Sequence, residues 1–436
     1  MFGILLCLVS ADVPVWQAGL AKRLITPAEP MWLAGYAART KPAEGKEHDL
    51  YVKVLALQDA KARRAVLLTS DLIGIPRGLA QTVRAAVRKR HGLEEAALML
   101  TASHTHSGPV LADNLLDMYP MPPEEAKKIP PYTRWLAEQM IAAIDEALKN
   151  LQPVQLEAGM GSAGFAVNRR LKTDKGVIGG SNPSGPVDHR VPILRVRSTK
   201  GEELAWVFGY ACHNTTLAWQ RWCGDYAGFA QEAIETKHPG SLALFWAGCG
   251  ADANPLPRGK VEQARAYGNE LARAVLATAT KEIRGELKLR YAEIPLPYDR
   301  LPTKEQLTAQ KLSKNLAERR RAERLLARWE QDGQLSATYE HYPVQVWQVG
   351  PVTWIALGGE VVVDYALRLK KSIGPEVWVT AYANDVMAYI PSKRVLSEGG
   401  YEADSSQIYY GQPARWSPGI EEIIHEQISK LLDRKR

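Results

Sequence analysis

The chain has 436 residues, 46% hydrophobic and 24% charged, with a formal net charge of +7. That profile suits a soluble globular protein with a sizeable core and excludes a disordered or fibrous chain. The positive charge is spread along the sequence, and no finger or helix-turn-helix pattern accompanies it. No nucleic-acid partner is therefore expected, and a basic rim facing an anionic membrane or substrate is the better use of the charge.

Residues 1–11, MFGILLCLVSA, join an apolar stretch to small residues at Val9-Ser10-Ala11. This is the outline of an export signal that lacks its basic start; the rival reading is a buried N-terminal strand. With the signal removed, residues 12–436 form the expected mature domain, placed outside the cytoplasm (periplasmic or secreted). No later apolar run approaches the ~18–20 residues of a spanning helix. Loss of Cys7 would leave Cys212, Cys223 and Cys249, an odd set that is no disulfide framework, with one Cys212–Cys223 bridge as an option.

Beyond the leader, strands and helices alternate. Residues 52–58 and 63–72 read as a strand pair around a basic turn, and 79–92 as an amphipathic helix stopped at Gly92. AALMLTAS (96–103) is a short apolar strand, followed by a helix over 133–151. Further strands are expected at 153–160, 192–197, 203–212, 242–247, 286–296, 343–349 and 352–358. Helices are expected at 226–237, 259–280, 361–372 and 416–433. The segment 303–331 is strongly helical and highly charged, with Arg319, Arg320 and Arg321 in a row, and reads as a solvated insertion. Gly179-Gly180 and Pro183–Pro186 mark surface loops. With no repeat and no clean linker, the expected fold is α/β: mixed β-sheets flanked by helices in a single large domain.

The chemistry-bearing residues gather at strand ends. His104 and His106 follow the 96–103 strand, and side chains two apart on a strand share a face, so both can serve one site. A lone His-x-His is a weak zinc signal, with a structural histidine as its rival. His213 ends the 203–212 strand in the same manner, and Asp225 starts the helix beyond it. LALFWAGCGADANP (242–255) ends in a glycine-rich turn with Asp252 and Asn254. VTWIALGGE (352–360) ends in two glycines and Glu360, and Asp71 ends another strand. Buried ionisable groups without partners cost several kcal/mol, so these ends are expected to converge on one polar site. Two histidines and a glutamate form the three-ligand set of a catalytic zinc with a place left for water. Asp252 and Asp225 have simple alternatives as turn or helix caps.

The ordered set ITPAEPMWLAGYAAR (25–39), SDLIG (70–74), HTHSGP (104–109), NRR (168–170), the His213 segment, GDYAG (224–228), GADANP (250–255), GGE (358–360) and NDVMAYIPSKRVLSEGGYE (384–402) resembles the neutral/alkaline non-lysosomal ceramidase family. Those enzymes are zinc amidases that split the N-acyl bond of ceramide. The resemblance implies zinc on His104, His213, Glu360 and Tyr389. It also implies His106 beside the attacking water or substrate, Arg169 on the substrate carbonyl or oxyanion, and Tyr401 lining the same pocket. The interval from Glu360 to Tyr389 is shorter than in the lipid-cleaving members.

Two departures bear on the substrate. Asn254 replaces the serine of the family's Gly-Asp-x-Ser-Pro motif; an amide cannot act as a nucleophile but can donate to an oxyanion, beside Asp252. The family's immunoglobulin-like C-terminal domain has no counterpart before Arg436. The expected function is zinc-dependent hydrolysis of a lipid-like N-acyl amide, with peripheral membrane contact. The alternatives are the same chemistry on a small polar amide, ester or acylated sugar, and an exported ligand-binding protein without activity. No Gly-x-Ser-x-Gly elbow supports a serine hydrolase.

Overall fold

A computed structural model describes residues 16–433. The leader and Cys7 lie outside the described residues. The first strands are β1 (Trp16–Leu24), β2 (Tyr51–Asp59), β3 (Arg64–Ser70), β4 (Leu98–Ala102) and β5 (Gln152–Ser162). A hairpin follows, β6 (Ala166–Thr173) and β7 (Gly176–Asn182), then β8 (Arg190–Ser198), β9 (Glu203–Tyr210), β10 (Leu242–Ala247), β11 (Ala253–Pro255) and β12 (Lys281–Glu282). The last third supplies β13 (Leu287–Pro297), β14 (Thr338–Val349), β15 (Val352–Leu357), β16 (Glu360–Val361), β17 (Trp378–Thr380) and β18 (Tyr389–Ile390).

The large sheet runs β10-β9-β8-β5-β1-β2-β3-β4, with β12 beside β5. It is mixed: β10/β9 and β3/β4 are parallel, and the ladders between them antiparallel. A second sheet runs β13-β14-β15-β17, and β11-β6-β7 form a small third one. The chain is thus α/β, with mixed sheets flanked by helices.

The period-2 alternation of side chains makes the layers. On β14, Trp347 and Val349 face the large sheet while Val344 and Val346 face away. Likewise Trp246 on β10 points between the sheets and Phe245 to the opposite face. Trp246, Trp347, Trp354 and Trp378 meet there, with ring centroids 5.2–6.1 Å apart. Helices 77–91 and 129–149 cover one half of the large sheet's outer face, and helices 225–237 and 261–277 the other. Helices 363–373 and 420–431 cover the second sheet. Gly19 on β1 lets the 129–149 helix approach: a Cβ there would lie 1.9 Å from the Ala147 carbonyl oxygen. Among the described residues no helix is long and apolar enough to cross a membrane.

Several expectations need correction. β1 and β6 were not anticipated, because WQAGLAKRL and AVNRRLKT end in charged runs that obscure their alternation. Gly179-Gly180 lie within β7 rather than in a loop. The charged insertion is two helices, 304–310 and 316–332, the second capped by Asn315 Oδ1, which accepts from Ala317 N at 3.0 Å. Nor is it merely solvated: Arg321 is buried, and Arg320 donates to the Tyr119 carbonyl at 2.6 Å. Cys212, Cys223 and Cys249 are free, buried thiols, so the Cys212–Cys223 bridge does not form.

The tryptophan layer predicts a stability effect. Trp354 is fully buried and donates from Nε1 to Thr380 Oγ1. Trp354→Ala is expected to lower the unfolding free energy by about 3–5 kcal/mol, read from chemical denaturation midpoints.

Candidate functional site

The site lies where strand ends from both large sheets meet. Two isolated bridges, Thr101 to Ala383 and Gly248 to Thr380, tie the end of β4 and the turn after β10 to the segment after β17. Into this seam come His104 and His106 after β4, His213 after β9 and Glu360 after β15. Glu360 and Tyr389 are register partners in the parallel β16/β18 pair. That pairing explains how they serve one place despite their separation in sequence. Gly359 makes the preceding turn with φ of 75°, and a Cβ there would fall 2.7 Å from the Ala388 carbonyl oxygen.

His104 and His106 meet by a route other than strand alternation. The strand stops at Ala102, and His104 takes a left-handed φ of 59°. That turn, uncommon for a residue with a Cβ, swings its ring back, and the two rings meet edge to face with centroids 4.7 Å apart.

Second partners orient the imidazoles. His104 Nδ1 donates to the Ile73 carbonyl at 2.6 Å, and His213 Nδ1 to the Gly250 carbonyl at 3.2 Å. With the Nδ1 protons so committed, both Nε2 atoms turn inward, as for a metal ligand oriented by its outer partner. They lie 3.0 Å apart, and Glu360 Oε2 sits 3.1 Å from the first and 3.3 Å from the second. Tyr389 Oη completes the group at 3.3 Å from His213 Nε2. Donors held at zinc bond lengths of about 2.0–2.1 Å in a tetrahedron are about 3.3 Å from one another. The donor types and their spacing fit such an ion. Inward lone pairs facing a carboxylate call for a cation between them.

His106 Nε2 also approaches His104 Nε2, at 3.1 Å, while its buried Nδ1 has no partner. His104, His106 and His213 together form a buried group able to hold a metal ion. Burial, then the neighbouring histidines, push the His106 imidazolium well below its usual range. Burial and Arg169 bring His213 down to about 3, leaving it a neutral ring. Burial opposes ionisation of Glu360, but His104 and His213 outweigh it and hold its carboxyl well below the usual range.

Arg169 spans from this cluster to the surface. Its Nη2 donates to Tyr389 Oη at 3.0 Å, its Nη1 to Asn254 Oδ1 at 3.4 Å and its Nε to Glu402 Oε1 at 2.8 Å. The β6/β11 ladder sets its position, and its backbone N donates to the Asp252 carbonyl at 2.8 Å. Tyr401 packs on Tyr389 with centroids 5.3 Å apart. Asp252 is placed differently from the others. Its carboxylate accepts from Val363 N at 2.9 Å and from Asn168 Nδ2 at 3.2 Å. These contacts fasten β6 to the helix that follows Glu360, so Asp252 positions the site. Asp225 accepts from Leu217 N at 2.8 Å across a loop, and Asp71 from Tyr51 N at 2.9 Å across the β2/β3 pair, so both hold backbone.

Sequence reasoning missed four contributors. Tyr382 stacks on His104 at 4.2 Å, and Tyr410 Oη donates to Glu360 Oε1. Tyr36 lies 4.8 Å from the His106 ring, and Glu402 binds both Arg169 and Arg170. Tyr382 and Tyr410 lie outside every motif noted, so only the fold could reveal them. Tyr36 and Glu402 lie within motifs already noted, 25–39 and 384–402, and were within reach of sequence reading.

Two outcomes follow. A Cβ on Gly35, at φ of 99°, would stand 2.2 Å from His106 Nδ1. Gly35→Ala is therefore expected to displace the His106 ring while the fold persists, seen as shifted His106 imidazole resonances in NMR. Burial raises the Asp252 carboxyl from 3.8 to about 6. A raised folded value gives stability that is complete below pH 3.8 and lost as pH rises through about 6. Wild-type stability is expected to fall relative to Asp252→Asn by up to about 3 kcal/mol between pH 4 and 7, measured by denaturant titration.

The sequence profile described as neutral/alkaline non-lysosomal ceramidase, N-terminal, matches residues 16–245. No curated protein sequence matches the chain. Among solved structures, the neutral ceramidase from Pseudomonas aeruginosa superposes with a TM-score of 0.73 at 18% identity, over 98% of this chain and 76% of that one. A structure described as ceramidase complexed with C2 gives 0.73 at 18% identity, over 95% and 74%. At that identity the likeness speaks for the fold. The profile covers more than half of the sequence, and the chain belongs to the neutral/alkaline non-lysosomal ceramidase family.

Proposed function

We propose that the protein is a zinc-dependent hydrolase of an N-acyl amide. The observation that carries this reading is the inward convergence of His104 Nε2, His213 Nε2 and Glu360 Oε2 at 3.0–3.3 Å, with both Nδ1 protons donated outward. His104, His213, Glu360 and Tyr389 would hold the ion. Zinc in such a site lowers the pKa of bound water toward ~7 and polarises a carbonyl.

The chain's own residues supply the rest. His106, neutral and with its Nε2 facing the cluster 3.1 Å from His104 Nε2, is placed to take a proton from water and return it to the departing nitrogen. A new C–O bond forms at the carbonyl carbon, the C–N bond breaks, and the amine leaves with that proton. Arg169 brings a fixed cation to the developing oxyanion. Asn254, whose oxygen already accepts from Arg169, keeps its amide N–H groups as donors. Without a serine at position 254, direct attack by water needs no acyl-enzyme. Tyr401 borders the approach to the site.

The names of the related structures motivate ceramide-like amides as first substrates. An exported protein of one catalytic domain over 12–436, making peripheral contact with a membrane, accords with this reading.

Metal content by elemental analysis tests it. About one zinc per chain is expected, falling to background in His104→Ala and His213→Ala with circular dichroism unchanged. Release of fatty acid from short-chain ceramide or a related N-acyl amide should vanish with the metal. A folded wild type that neither carries nor takes up zinc would overturn the proposal.

A further inference from the structure

A cavity of about 390 Å³ opens from Arg169, Asn254 and Tyr401 to the surface. Arg169 and Tyr401 touch Tyr389, so this cavity borders the histidine cluster through those two side chains. Arg258 also lines the cavity, an exposed residue whose hydrogen bonds among the described residues run to the Thr215 carbonyl at 3.3 Å and Thr215 Oγ1 at 3.4 Å. Among the described residues no carboxylate pairs with it. The one acid lining the cavity, Glu402, is already committed: Oε1 accepts from Arg169 Nε at 2.8 Å and Oε2 from Arg170 Nη1 at 2.5 Å. The cavity therefore holds an uncompensated positive charge at a fixed place.

Beside Gly179, Gly180 and Ser181, the remaining wall carries an apolar strip. Val177, Ile178 and Leu256 line it, and Ile178 is 51% exposed, so its side chain is open to a ligand in the cavity. An apolar strip beside an unpaired guanidinium fits an anionic amphiphile. Ceramide itself carries no anion, so Arg258 would gain nothing from it.

We propose that the preferred substrate is an N-acyl amino acid, whose acyl chain lies along Val177, Ile178 and Leu256 and whose carboxylate pairs with Arg258. The anion falls on the amine half because the apolar strip takes the acyl half. This rests on the amide-hydrolase reading above and narrows its substrate. A guanidinium–carboxylate pair is charge-assisted and bidentate, which gives it directional selectivity over a neutral amide of the same shape.

The test compares N-octanoylglycine with the uncharged N-octanoylglycinamide on the full-length protein. The readout is kcat/KM from octanoate release where the compounds are split, and calorimetric Kd where they are not. A preference of about tenfold or more for the acid is expected, weakening with added salt. It should collapse to within about twofold in Arg258→Gln and reverse in Arg258→Glu. Since Arg258 is exposed, both variants should fold. Equal treatment of the two compounds by the wild type, no binding of either, or a preference that survives both substitutions overturns the proposal. Arg258-dependent binding without octanoate release upholds the anion site and refutes the hydrolase reading, so the two failures are distinguishable.

Discussion

The structure is organised around electrostatic crowding. Two imidazole nitrogens and a carboxylate oxygen, all acceptors facing inward, are held within 3.3 Å of one another in a site with almost no solvent exposure. Such groups repel unless a cation lies among them, and a flexible chain would let them part. The surrounding fold must therefore keep them together at a cost. One visible part of that cost is the left-handed backbone of His104, which an L-residue adopts at about 1–2 kcal/mol.

Rigidity comes from backbone more than from side chains. His104 follows β4, the fully buried end strand of the large sheet, and Asn384 Oδ1 accepts from Leu100 N within that strand at 3.1 Å. His213 N donates to the Ala253 carbonyl at 2.9 Å, which couples it to the turn holding Asn254. Glu360 and Tyr389 are fixed by their parallel register, and Trp416 Nε1 clamps the Tyr389 carbonyl at 2.7 Å. The charged insertion joins the same frame. Arg320 holds the Tyr119 carbonyl, and Tyr119 Oη accepts from Gly35 N at 2.7 Å, beside His106. An element that reads as a solvated appendage thus braces the loop against which a site histidine rests.

Much of this was legible because strand-end chemistry leaves a pattern. Apolar runs that finish in an ionisable residue pointed to His104, His213 and Glu360, and the fold does bring these three together. What escaped was whatever depends on distant register. The β16/β18 pair has two residues per strand, too short for any periodicity. β1 and the β6/β7 hairpin alternate imperfectly because they border charge clusters. Asp252 looked like a site acid because its turn is glycine-rich and close to Asn254. Only the hydrogen bonds to Val363 and Asn168 show that it faces the scaffold. Arg170, the last residue of the NRR motif, is buried against Glu402 and Glu398, a placement its charge alone does not signal.

The two sides of the site are built on different principles, and this bears on how substrate preference and metal chemistry can vary separately. The proposed metal side is made of residues locked by main-chain bonds from two sheets, so a change there disturbs the frame. The approach side is made of side chains on the β6/β7 hairpin, on β11 and on the 256–258 segment after it. Arg169 is the link between them, bound at one end to Tyr389 and at the other to Glu402. Asn254 keeps its place in the β11/β6 ladder and Arg258 lies outside any strand, so side-chain changes at either would alter what the approach side presents while the strand pairing stays as it is. A family fold can in this way retain one hydrolytic centre while the charge and polarity of its entrance select a different amide.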